Sequence, residues 1–256
     1  MVLQEFSLEG RFALITGGNG GLGRVMALGL QSAGARVAVT GRNPAKNRAV
    51  GDELVDGLTI EADIRDESDV ENAVSEVISA FGSLDILVNN AGVVRGGPIL
   101  DLAKEDWAAG IDTNLTGSFL CAKHAGRAMV AGGRGGKIIN IGSIYSIYGT
   151  PGFAEYGSSK AGVLGLTRAL AIELAPHDIQ VNAILPGWYE TDMTQDEVGT
   201  ARGDEIRRKT PAGRWGDPAD LVGTAVFLAS AASAFVTGAA IPVDGGYLVS
   251  ESLTPG

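Results

Sequence analysis

Short runs of Val, Ile, Leu and Ala, five or six residues long, recur along the chain. Between them lie longer stretches in which apolar residues return every third or fourth position. The first pattern predicts strands and the second predicts helices that bury one face. Strands are expected over residues 11–16, 36–40, 58–62, 84–89, 137–141, 180–185 and 239–243, and helices over 21–33, 45–53, 67–81, 105–130, 154–175 and 218–231. Strands that are apolar at almost every position are buried on both faces. Their alternation with helices therefore predicts an α/β fold with a seven-stranded parallel sheet and helices on both faces. A chain of 256 residues suits one such domain over 1–256. The glycine-rich 132–136 reads as a loop, and the charged, weakly periodic 189–213 as a mobile flap over whatever the fold binds.

Composition narrows the class of partner. The 38 glycines are about twice the usual share of roughly 7%, which fits a chain with many strand-to-helix turns. A net charge of −10 argues against nucleic acid or an anionic membrane as partner, because both reward a basic face. Cys121 is the single cysteine, so no disulfide forms within the chain, and no His/Cys cluster has zinc-ligand spacing; no metal is expected. The first ten residues lack a basic region followed by an apolar stretch, and 221–236 is too short and too rich in Ala, Ser and Gly for a membrane span. A cytoplasmic protein acting on a small molecule is expected.

The first predicted strand ends in Thr16-Gly17-Gly18-Asn19-Gly20-Gly21-Leu22-Gly23 and runs into a helix. That is where backbone amides and a helix N-terminus can meet a pyrophosphate. Two registers fit: Gly18, Gly20 and Gly23 as GxGxxG, or Gly17, Gly21 and Gly23 as TGxxxGxG. The second strand ends in Thr40-Gly41-Arg42-Asn43, with no carboxylate for a ribose hydroxyl. A guanidinium there can pair with a 2′-phosphate, so Arg42 tips the choice towards NADP, with NAD the alternative. Asp63-Ile64 after the third strand suits an adenine contact. Asn89-Asn90-Ala91-Gly92 closes the fourth strand with small residues that admit a cofactor and amides that can tie strands together.

Tyr156 and Lys160 stand four apart in a helical segment and so share one face. With five tyrosines and six lysines, such a pair arises by chance in about one chain in eight, so its surroundings decide its meaning. An ammonium about 4 Å from the phenol at an effective dielectric near 20 contributes about 4 kcal/mol, enough to bring a tyrosine pKa towards neutrality. Ser143 follows the fifth strand, where side chains face the ligand crevice of an open α/β sheet. Asn114 lies in a helical stretch interrupted by polar residues, where a kink would let it hold a water leading to Lys160. His124 and His177 have no partner at a telling spacing and are not acid–base candidates.

Together these residues resemble the short-chain dehydrogenase/reductase family over almost the whole chain, in the family's order and spacing. The resemblance implies a Rossmann sheet, a catalytic tetrad of Asn114, Ser143, Tyr156 and Lys160, a homotetramer, and hydride transfer between a nicotinamide and an alcohol or carbonyl carbon. It adds Pro186, Gly187, Tyr189 and Thr191 to the cofactor contacts of Gly17, Asn19, Gly21, Leu22, Gly23, Arg42, Asp63, Ile64, Asn90, Ala91 and Gly92. The bulky pair Trp188 and Tyr189 is expected to shape the substrate pocket, and Arg95 is either a partner for a substrate carboxylate or part of a surface ion pair. The pattern is most similar to bacterial members acting on sugar acids and polyols. The alternatives are a 3-oxoacyl-carrier-protein reductase or, in another class, a non-catalytic dinucleotide sensor.

Overall fold

Alternation along each strand divides the interior into two cores. Ala13, Ile15, Val37, Val39, Ile139 and Ile141 point to one face, while Leu14, Ala38 and Ile138 point to the other, and all are at most 5% exposed. Strands apolar on both sides need helices on both faces. The computed structural model, which describes residues 4–250, has that arrangement. The ends of the expected domain, 1–3 and 251–256, lie outside the described residues. The strands are β1 (Phe12–Thr16), β2 (Arg36–Gly41), β3 (Leu58–Glu61), β4 (Ile86–Asn89), β5 (Gly136–Ile141), β6 (Ile179–Pro186) and β7 (Ala240–Val243). They form one parallel sheet in the order β3-β2-β1-β4-β5-β6-β7.

The helices follow from stripes and caps. In α1 (Gly21–Ser32) the buried positions are Gly23, Met26, Ala27 and Leu30, a single 3.6-period stripe. In α3 (Glu67–Phe81) they are Val70, Ala73, Val74, Val77 and Phe81, and each large apolar side chain buried there contributes about 1.5–3 kcal/mol. Asp66 caps the start of α3, and Gly82 ends it in the left-handed region at φ 91°. Asn43 caps α2 (Pro44–Gly51) by accepting from the amides of Ala45 and Lys46.

The observed elements depart from the sequence reading at three places. The fourth strand begins at Ile86 rather than at residue 84. The Asp85 carboxylate accepts from the Phe12 amide at 3.0 Å and meets Arg11 and Arg134. The expected helix 105–130 divides into α4 (Lys104–Ile111), a π-helical turn (Asp112–Thr116) and α5 (Gly117–Gly132). At the turn the Gly117 amide reaches back to the Asp112 carbonyl, the widened ladder that often marks a functional site. Segment 189–213 contains a helix the sequence reading did not draw, α7 (Ala201–Lys209). The remaining helices are α6 (Ala154–Leu174) and α8 (Val222–Ala229), the latter preceded by a 3-10 turn (Pro218–Leu221). No helix among the described residues is long and apolar enough to cross a membrane.

Candidate active site

Because every strand is parallel, their C-terminal ends share one edge, and the strand order reverses between β1 and β4. Ligand crevices of open α/β sheets lie at such a switch point. Here a cleft of about 730 Å³ opens along that edge. Gly17, Asn19, Gly21, Leu22, Arg42, Asp63, Ile64, Asn90, Ala91, Gly92, Pro186, Gly187, Tyr189 and Thr191 border it, together with Ser143, Tyr156, Lys160 and Trp188.

The two glycine registers are resolved by geometry. Gly17 and Gly21 border the cleft with φ of 61° and 48°, which L side chains rarely adopt. Gly18 faces away, where an added Cβ would lie 2.6 Å from Val39 Cγ1. The TGxxxGxG register therefore describes the loop. Gly23 does not touch the cleft: a Cβ there would lie 2.3 Å from Asn90 Nδ2 and 2.4 Å from the Gly17 carbonyl, so it lets α1 sit close to the loop. Gly20, which precedes α1, gives the helix no side-chain cap, leaving its first amides free for an anion. Asn90 Nδ2 donates to the Thr16 and Gly17 carbonyls at 2.9 and 3.1 Å, and Thr16 Oγ1 accepts from the amides of Asn90 and Ala91, tying β1 to β4 at the switch point. Deeper in, Asn89 donates to Asn140 at 2.8 Å and Asn140 to Thr167 at 2.9 Å.

Arg42 lies at the far end of the cleft, 56% exposed and 3.8 Å from Asp63. Lys46, in the first turn of α2, borders the same end and was missed by the sequence reading. Its signal was the Asn43-Pro44 helix start, which puts Lys46 in the first turn of the helix that follows Arg42; its Nζ lies 3.4 Å from the exposed Asp192 carboxylate. Asp63 borders the cleft beside Ala62 and Ile64. Its carboxylate is held below the ordinary range chiefly by hydrogen bonds from Arg65, with the charge of Arg42 adding to the effect. An uncapped helix start, a small-residue cradle and two cations at the ribose end fit a dinucleotide with an extra phosphate.

At the other end the tetrad residues come together. Ser143 caps the 3-10 turn Ile144–Ser146 by accepting from the Tyr145 amide at 3.1 Å, which sets its hydroxyl beside the Tyr156 phenol. Lys160 is 4% exposed and Asn114 is fully buried. Asn114 is engaged entirely by protein: it accepts from the Val93 amide at 2.8 Å and donates to the Val93 carbonyl at 2.9 Å and Ser159 Oγ at 3.0 Å. Its side chain thus positions the loop after β4.

The electrostatic expectation for the pair is corrected. Lys160 Nζ donates to the Ile141 carbonyl at 2.7 Å and lies 5.7 Å from the Tyr156 ring centroid. Burial dominates both groups. It pushes Tyr156 up to about 12, against the pull of Ser143, and Lys160 down to about 8. The phenol is therefore set as a proton donor.

Two expectations for the substrate end are also revised. Tyr189 borders the cleft, but its ring packs on Gly216 and its hydroxyl donates to the Val243 carbonyl at 2.8 Å, so the end of its side chain is anchored in the core. Arg95 is exposed and is not among the residues that border the cleft. Its amide, with that of Gly96, donates to the fully buried Glu155 carboxylate at 2.9 and 3.0 Å. Trp188 does face the cleft, within an aromatic cluster of Tyr145, Phe153, Tyr156 and Trp215. His124 pairs with Glu67 at 3.0 Å, away from the cleft.

Comparison with known proteins adds to this geometry. The sequence profile described as Enoyl-(Acyl carrier protein) reductase matches residues 17–248. The chain is 42% identical over 254 residues to the 2-dehydro-3-deoxy-D-gluconate 5-dehydrogenase of Escherichia coli, covering 97% of this chain and 99% of that one. It is 41% identical over 239 residues to the 3-oxoacyl-[acyl-carrier-protein] reductase FabG of Staphylococcus aureus, covering 91% and 96% of the two chains. Its structure superposes with a TM-score of 0.92 on a gluconate 5-dehydrogenase from Burkholderia cenocepacia in complex with NADP and tartrate, at 39% identity, covering 98% and 100% of the two chains.

Proposed function

The chain belongs to the short-chain dehydrogenase/reductase family of NAD(P)-dependent oxidoreductases acting on CH–OH and C=O groups, and we propose that its substrate is a sugar acid and its preferred cofactor NADP. The observation that most supports the substrate class is the nearly full-length similarity to the E. coli sugar-acid dehydrogenase. Arg42 and Lys46 at the ribose end support the cofactor preference, as does NADP in the Burkholderia relative.

In this reading the bound nicotinamide supplies or accepts the hydride. Tyr156 gives the proton to the substrate oxygen in reduction and takes it back in oxidation. Ser143 orients that oxygen. Lys160 keeps a positive charge beside the phenol, and Asn114 holds the loop after β4 against α6. The cofactor roles expected of the glycine loop, Asp63, Ile64, Asn90 to Gly92 and residues 186–191 belong to the same proposal. So do a mobile flap over 189–213, a homotetramer and a cytoplasmic setting; exposed Phe119, Ile172 and Phe235 support self-association, which light scattering tests.

The similarity to FabG favours a second reading, reduction of a carrier-bound 3-oxoacyl thioester. An acidic carrier wants a basic rim, and the chain carries a net charge of −10. Of the four cations on α7, Arg202 pairs with Glu197, Arg207 pairs with Asp204, Lys209 lies over Tyr148 and Tyr247, and only Arg208 is exposed without a carboxylate partner among the described residues. A dinucleotide sensor would bind NADPH and turn over nothing, a reading that the complete tetrad weighs against. Absorbance at the nicotinamide band separates the three, with both cofactors offered sugar acids, polyols, ketones and acetoacetyl thioester. Turnover of sugar acids is expected to be fastest with NADP(H).

A further inference from the structure

A sugar acid carries a carboxylate, and the expected anchor for it, Arg95, does not border the cleft. Arg202 does not border the cleft either, but it contacts three residues that do: Phe153, Trp188 and Glu197. Arg202, in the first turn of α7, has its guanidinium carbon 5.7 Å from the Phe153 ring centroid and 5.8 Å from that of Trp188. Both rings border the cleft. Both also contact Tyr145, which stands edge-on to Tyr156 at 6.2 Å between centroids. Arg202 thus contacts rings that pack, through Tyr145, on the ring of the proton donor.

We propose that Arg202 forms a carboxylate subsite at the mouth of the cleft and selects hydroxy or keto acids over uncharged polyols. This rests on the sugar-acid reading above. Three features support it. First, the guanidinium already holds one carboxylate: Glu197 Oε1 lies 3.1 Å from its Nη1, and Glu197 itself borders the cleft. That side chain shows where an anion sits on Arg202. Since a guanidinium has five N–H donors in a fork, a substrate carboxylate can replace this single contact by a bidentate one. Secondly, the aromatic rings cover one side of a cation whose side chain is 46% exposed, leaving its other side open to an anion. Thirdly, the flap helix that carries Arg202 is held at its first turn in this conformation. Thr200 caps it by accepting from the Gly203 amide at 3.1 Å, and the Trp215 indole N–H donates to the Gly203 carbonyl at 3.2 Å. The Trp188 indole N–H, in a ring that Arg202 covers, is buried without an acceptor among the described residues, a donor suited to an oxygen-rich ligand.

The test compares matched charged and uncharged ligands on the full chain and on Arg202→Gln. With gluconate and glucitol as alternative substrates, the variant is expected to raise KM for gluconate about tenfold or more while leaving KM for glucitol and kcat for both within about twofold. Glu197→Gln, which removes the competing carboxylate, is expected to lower KM for gluconate. Tartrate and erythritol, titrated against the NADPH complex by tryptophan fluorescence, report binding without turnover. Tartrate affinity should fall in Arg202→Gln and erythritol affinity should not. Equal losses on charged and uncharged ligands would assign Arg202 a structural role only, and unchanged gluconate KM and tartrate affinity would overturn the subsite. A wild-type enzyme that ignores gluconate and other sugar acids yet loses tartrate binding in the variant would contradict the substrate class and leave the subsite standing.

Discussion

The two ends of the cleft are built by different means. At the cofactor end the contacts come from short segments immediately after β1, β2, β3 and β4. Their placement follows from backbone conformation, from small residues and from amides such as Asn90 that cross one strand gap. At the substrate end, the cluster of Tyr145, Phe153, Trp188 and Trp215 joins segments that are distant in sequence, and Arg202 closes over it from α7. The first end depends on features that any member of the fold needs to meet a dinucleotide. The second depends on side-chain packing that can change without disturbing the sheet, which is how one fold serves many substrates.

Substitutions that separate the two ends sharpen this contrast. Tyr156 stands where they meet. Tyr156→Phe is expected to lower kcat by about two orders of magnitude or more, as loss of a general acid does, while the NADPH dissociation constant, measured by fluorescence, stays within about twofold. A variant that kept its turnover would remove Tyr156 from the chemistry. Arg42→Ala acts on the cofactor end alone. NADPH affinity should fall about tenfold, in keeping with one charge-assisted contact, with NADH affinity and the substrate KM little changed. Equal losses for the two cofactors would leave the NADP preference without a physical basis.

The smallest effect concerns pH. Lys160, lowered by burial to about 8, is cationic below that pH and neutral above it. Tyr156, raised to about 12, remains a proton donor throughout the working range. Carbonyl reduction should therefore be level below pH 8 and decline severalfold above it as Lys160 loses its charge. Alcohol oxidation, which needs the phenolate, should gain as pH rises towards 8. A reduction profile that stayed flat to pH 10 would show that the charge on Lys160 contributes nothing to the rate.

The same contrast explains what could be read before the structure. Apolar runs such as Phe12–Thr16 are strands because both faces are covered, and periodicity alone reveals that. The residues after each strand inherit their position from it, so Gly17, Asp63, Asn90 and Ser143 were legible as cleft residues from their spacing. The choice of glycine register was not, since it depends on Val39 lying behind Gly18. Arg95 lies outside the cleft and exposed, and its amide donates to Glu155, sixty residues away, a contact that local sequence does not disclose. Tyr189 lies on the cleft, but the space that Gly216 opens for its ring in the core had no signal in the spacing. Spacing on a helix predicts that Tyr156 and Lys160 share a face; it does not disclose that burial acts on both or that the Ile141 carbonyl holds the ammonium. Arg202 had no local signal at all, being one charge in a weakly periodic segment until packing set it over two rings.

The central claim is that this cleft moves a hydride between NADP and a carbon of a sugar acid, with Tyr156 as the proton donor. The most direct measurement is the initial rate of absorbance change at the nicotinamide band when NADPH and a keto sugar acid are mixed with the purified chain or with Tyr156→Phe. The NADPH signal is expected to fall with the wild-type chain, and about a hundredfold more slowly with the variant. Equal rates for the two proteins, or consumption of NADPH with acetoacetyl thioester but with no sugar acid, would contradict it.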